Sequence, residues 1–192
     1  MDVPALGTAA GPPGTREGDE MMTTSDAPQM SEMKSDPQEE HRWLQKLIGE
    51  WTFDGEATMG PDQPAETFTG RERVRSLGDL WVLAEGEGET PDGGIDRSVM
   101  TLGYDAQQGR YVGTWIGSMM THLWVYNGAL DAAGRVLTLE AEGPSMAGDG
   151  TMATYRDVIE LKDDDHRVLT AHVLGDDGTW QQFMTSNYRR TT

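Results

Sequence analysis

Cysteine is absent from the 192 residues, which excludes disulfides, a thiolate nucleophile and cysteine-ligated metal centres, and fits a reducing, cytoplasmic setting. Long apolar runs are missing as well. No segment approaches the ~20 apolar residues of a membrane-spanning helix, and the opening "MDVPALGTAAGPPG" has neither a basic leader nor an apolar stretch of the kind that directs secretion. Positive charge is scarce: 15 Lys and Arg face 33 Asp and Glu, a formal charge of −18. Residues 1–40 carry nine acids and two bases, so the remainder holds 24 acids against 13 bases. Both halves repel polyanions, which disfavours nucleic acid and anionic membrane as partners.

Catalytic signatures are absent too. "GEGETPDGG" has spaced glycines but lies between strand-like segments, so it reads as a hairpin turn and not as a phosphate loop before a helix. "GPSMAG" lacks the G-x-S-x-G pattern of a nucleophile elbow. None of the four histidines pairs with another at metal-ligand spacing, so no metal site is expected.

What the chain does contain falls into two parts. Residues 1–36 are rich in Pro, Gly, Ser, Thr and acids and poor in branched aliphatics, a composition that predicts a disordered tail. Residues 37–192 form the expected single domain. It opens with "DPQEEHRWLQKLIG": a proline and acids in the first turn, apolar Trp43, Leu44, Leu47 and Ile48 on one side, and Gly49 as a stop. This predicts one short amphipathic helix. Ten strand-like segments follow, from "EWTFDGEATM" to "TWQQFMTSNYRR", separated by turn signals such as "PDGG", "DAAG" and "DDG" at roughly 12–16-residue intervals. No crossover helix lies between them. The fold class predicted is all-β: an antiparallel up-and-down barrel of about ten strands, closed to hide its edges, with the helix capping one end.

Alternation assigns faces. Trp51, Phe53, Gly55 and Ala57 point inward. Thr69, Arg71, Arg73 and Arg75 form a solvated face, which sends Phe68, Glu72 and Val74 inside. Tyr155, Asp157, Ile159 and Leu161 likewise turn inward, with Arg156 outside. Parity with Trp180, Met184 and Tyr188 selects Arg190 over Arg189 as an inward base near the C-terminus. The segment "GTWIGSMMTHLWVYNG", residues 113–128, concentrates Trp115, Met119, Met120, His122, Trp124 and Tyr126, combining large apolar surface with a few polar handles.

The residues Gly49-Glu50-Trp51 after a short helix resemble the Gly-x-Trp start of lipocalins and related calycins. That resemblance implies a barrel-end plug of Gly49 and Trp51, with a late arginine, Arg190 here, across the indole; ordinary core packing is the other reading of Trp51. A wider resemblance is carried by "EHRWLQKLIGEWTF", "TLGYDAQQGRYVGTWIGSMMTHLWVYNGAL", "LEAEGPSMAGDG", "YRDVIEL" and "FMTSNYRR". These strings are similar to the bacterial family called domain of unknown function 1579 (DUF1579), which implies a lipocalin-like barrel and no established activity.

The expected function is binding of a small hydrophobic or amphipathic molecule, with Glu72, Glu85, Trp115, Met119, His122, Trp124, Tyr126, Tyr155 and Asp157 as candidate ligand-binding residues. Three alternatives stand beside it. Interior Glu, Asp and His could act as general acid and base. An inward His122 could ligate haem, as in nitrobindin-like barrels, although no cofactor is expected. Exposed methionine and tryptophan could instead form a homodimer face.

Overall fold

The helix α1 (Glu39–Leu44) starts as its sequence demands. Glu39 and Glu40 place negative charge in the first turn, where the helix dipole favours it. His41 Nδ1 accepts the Gln38 backbone N–H at 3.0 Å, and its Nε2 lies 3.2 Å from the Tyr104 carbonyl. The ring must therefore carry its proton on Nε2, donating to Tyr104 and anchoring the helix to the barrel. A single 3-10 turn (Gln45–Leu47) follows. Trp43, Leu44 and Leu47 are buried, which closes one end of the barrel. Gly49 then begins the first strand with φ +145°, a backbone conformation that side-chain-bearing residues avoid. This explains the glycine between helix and strand.

In this computed structural model the described residues are 35–191 except 59, 61–63 and 91–92. Nearly all of the tail expected from the sequence lies outside them. The strands are β1 (Gly49–Ala57), β2 (Glu66–Leu77), β3 (Trp81–Glu89), β4 (Ile95–Asp105), β5 (Arg110–Gly117), β6 (Trp124–Leu130), β7 (Val136–Pro144), β8 (Met152–Leu161), β9 (His166–Leu174) and β10 (Trp180–Arg190). Each pairs antiparallel with the next, and β1 pairs with β10 to close the barrel. No helix among the described residues is long and apolar enough to cross a membrane.

Register follows from the two faces of each strand. The outward arginines of β2 meet acids on neighbouring strands: Arg71 with Glu87 at 2.5 Å, Arg73 with Glu50 at 3.2 Å and Arg75 with Glu85 at 3.3 Å. Such exposed pairs add little stability, but a one-residue slip would drive the charges inside. On the inner face Phe53 lies over Gly70 and Phe68 over Gly55, each ring within 3 Å of where a Cβ would stand. These glycines leave room for the two phenyl rings, which meet edge to face with centroids 6.2 Å apart.

One irregularity redirects a strand. A bulge between Gln182 and Met184 in β10 breaks the simple parity assumed from sequence. Trp180 stacks beneath the outward Arg156 guanidinium at 3.9 Å, whereas Met184, Ser186 and Tyr188 line the interior. Arg190 is inward as expected, but Trp180 does not share its face.

Candidate functional site

Inside the barrel is a cavity of about 690 Å³, within the range of small-molecule sites. Its closed end is built on Trp51, which is 1% exposed and donates from Nε1 to the Leu47 carbonyl at 2.9 Å. The Arg190 guanidinium stands 4.1 Å from the centroid of the Trp51 ring. It also donates to the Ile48 carbonyl and, at 2.9 Å, to the Lys46 and Asp164 carbonyls. Arg190 thereby ties the helix end and the β8–β9 turn to the plug, using its planar face and its edge at once.

Above the plug sits a polar cluster. Arg167, only 5% exposed, pairs with Glu72; its guanidinium lies 4.7 Å from the Trp51 centroid and 4.3 Å from that of Tyr188. Each charge gives the other what desolvation would otherwise remove. Burial pushes the Tyr188 phenol well up, with the Glu72 charge adding to the effect and Arg167 opposing it. Nearby, the Tyr126 hydroxyl donates to Asp157 Oδ2 at 2.5 Å. Burial raises the Asp157 pKa to about 6 although this hydrogen bond works against the shift. Desolvation, then the Asp157 charge, raises Tyr126 well above the usual phenol value.

The walls are apolar, with Val74, Val82, Ala84, Met100, Leu102 and Ile159 among the lining residues. Aromatic groups gather toward the mouth. Trp124 meets Tyr155 edge to face at 4.9 Å and His122 at 5.1 Å, and Tyr155 meets Phe183 at 6.1 Å. The Trp124 ring covers Gly143, approaching to 2.3 Å of where a Cβ would be, so β7 must carry glycine there. At the mouth Met119, Met120 and Met146 line the cavity while remaining exposed, Met119 by 50%. Their flexible thioethers suit an adaptable entrance.

The structure therefore brings Glu72, Trp115, Met119, His122, Trp124, Tyr126, Tyr155 and Asp157 to one cavity. They occupy different depths: Glu72, Tyr126 and Asp157 belong to the interior cluster, whereas His122 lies just before β6 and not within a strand. Its Nε2 sits 3.0 Å from the Glu142 carbonyl. The Tyr155 hydroxyl is also committed, donating to the Pro144 carbonyl at 2.6 Å.

Glu85 is a correction. It stands on the outer wall, paired with Arg75, because β3 turns Val82, Ala84 and Gly86 inward and alternation sends the intervening glutamate to solvent.

Arg167, Phe183 and Ser186 also line the cavity, outside the residues singled out by the sequence, while Tyr188 has the inward parity it shares with Arg190. A signal for Arg167 existed: it shares strand parity with Leu169 and Ala171, and an interior Glu72 requires a cation. For Phe183 the bulge concealed the assignment.

The family model for "Protein of unknown function (DUF1579)" matches residues 36–190. The chain belongs to this family. Among curated proteins, none matches the sequence. Similar solved structures include Rv2717c from M. tuberculosis, with a TM-score of 0.57 and 14% identity over 82% of this chain and 100% of that one. Another is the S-type phycobiliprotein lyase CPES from Guillardia theta, with a TM-score of 0.55 and 11% identity over 79% of this chain and 92% of that one. At these identities the shared property is the barrel fold.

Proposed function

We propose that this member of the DUF1579 family binds a small, largely apolar molecule inside the barrel, with a polar end directed at the interior cluster. The observation that carries this reading is the roughly 690 Å³ cavity, apolar along its walls and polar where Glu72 pairs with Arg167 and Tyr126 with Asp157. An apolar molecule bound here would make dispersion contacts along the lining.

Binding is favoured over acid–base catalysis by the state of the carboxylates. Glu72 is held by Arg167 and Glu85 is outside. Asp157, hydrogen-bonded to Tyr126, has no cationic partner among the described residues, and an acid–base pair needs two groups free to exchange protons with substrate.

The test uses the neutral fluorophore N-phenyl-1-naphthylamine. Its emission should rise and shift to the blue on mixing with the full chain, with energy transfer from Trp115 and Trp124. An unchanged spectrum at micromolar protein would overturn the proposal. Native mass spectrometry of freshly purified protein should show a mass excess that organic extraction removes.

A further inference from the structure

The binding reading leaves open what the polar end of the ligand is, and the cluster is chemically asymmetric. Arg167 balances the Glu72 charge through one terminal nitrogen, while its Nε is buried without a hydrogen-bond partner, and Arg190 donates to backbone carbonyls at the plug and pairs with Asp165. Asp157 is different. It accepts one hydrogen bond, on Oδ2 from Tyr126, and no other described residue donates to Oδ1. The residue lines the cavity, and Oδ1 is not among the fully buried unpartnered atoms, so it is reachable from the cavity space. Glu72, Asp157 and Arg167 line this cavity, as do Glu89, Asp96 and Arg97; Glu72 is paired with Arg167, whereas Asp157 keeps one oxygen and its charge unmatched.

We propose that the cavity selects amphiphiles whose polar end is a protonated amine, seated on Asp157 Oδ1 with the apolar body along the aromatic wall of Trp124, Tyr155 and Phe183. This rests on the binding reading above. Three physical points support it. The desolvation cost of Asp157 is already borne by the fold, so an entering ammonium contributes attraction while losing only its own hydration. A carboxylate ligand would meet Asp157 and Glu72 as like charges, with the Arg167 charge already balanced by Glu72. An alcohol can donate to Oδ1 but leaves the charge uncompensated, and hydrogen bonds between charged groups are the stronger class. Burial raises the Asp157 pKa to about 6, which adds a dependence on pH.

Tyr126 from β6 bonds this carboxylate and Tyr188 from β10 feels its charge; the other charged or titratable groups lining the cavity are Glu72, Glu89, Asp96, Arg97, His122 and Arg167. Burial places the Asp157 titration at about 6. Decylamine remains protonated throughout pH 5–8. Its affinity should therefore rise with pH as Asp157 ionises, while that of decanol should not.

The experiment displaces N-phenyl-1-naphthylamine from the full chain with decylamine, decanol and decanoic acid at pH 5 and pH 7.5. At pH 7.5 decylamine should displace the dye at roughly 10-fold lower concentration than decanol, and the preference should shrink toward unity at pH 5. Asp157→Asn, which keeps shape and hydrogen bonding to Tyr126, should abolish both the preference and its pH dependence while still taking up the dye. Uptake of the dye with no amine preference, or with decanoic acid the strongest competitor, would overturn the amine assignment and leave the cavity reading intact. Failure of the dye to bind at all would overturn the reading on which it rests.

Discussion

Replacing Trp51 with alanine tests the plug. The indole is 1% exposed, donates to the Leu47 carbonyl at 2.9 Å and lies within 5 Å of two guanidinium groups. Its removal deletes one of the largest buried side chains and leaves a void between the helix and the cavity floor; truncations of this kind cost about 3–5 kcal/mol. Trp51→Phe separates the contributions. It retains most apolar contact but strands the Leu47 carbonyl, for a loss of about 1–2 kcal/mol. Arg190→Ala should cost less than Trp51→Ala, and because the two side chains touch, the double mutant should be less destabilised than the sum of the singles. Urea unfolding followed by far-UV circular dichroism gives the values, and for a domain of this size Trp51→Ala should lower Tm by about 6–20 °C. A loss under about 1 kcal/mol, or strict additivity with Arg190→Ala, would refute the plug as described.

Two further perturbations address the interior charges. Glu72→Gln should destabilise by roughly 3 kcal/mol, because it leaves Arg167 buried without its counter-charge; a paired change to Leu and Met at 72 and 167 should recover most of the loss in the same unfolding assay. Asp157 makes stability fall as pH rises: between about pH 4 and 6 the folded state, with this pKa at about 6, binds a proton that the unfolded chain, near ~3.9, has released. Comparison of wild type with Asp157→Asn by urea titration should show a relative gain for the mutant of up to about 3 kcal/mol above pH 6, vanishing below pH 4; a pH-independent difference would contradict the placement of this carboxyl.

Much of the architecture was legible because its signals are local. Turn glycines such as Gly109, Gly134 and Gly178 adopt positive φ, and the alternation of Arg71, Arg73 and Arg75 against Phe68, Glu72 and Val74 left one register open to β2. Closure between β1 and β10 followed from the need to hide edges. The misplacements have equally local causes. Glu85 has the parity opposite to Val82 and Ala84, which sends it to the outer wall beside Arg75. The β10 bulge, one extra residue, is invisible to a period-two argument. Arg167 shows a different limit: its inward parity could be read, but the partnership with Glu72 across 95 positions could not. It depends on barrel closure to bring β9 opposite β2.

Whether the apolar molecule sits inside the barrel is read from methionine methyl NMR. With ¹³C-methyl methionine and N-phenyl-1-naphthylamine as the probe, the resonances of Met100 and Met184 within the cavity and of Met119 and Met120 at its mouth should shift, while Met152, 56% exposed and outside the lining, should hold still. Saturable shifts at Met152 with Met100 and Met184 unmoved would place binding on the outer surface and contradict the account.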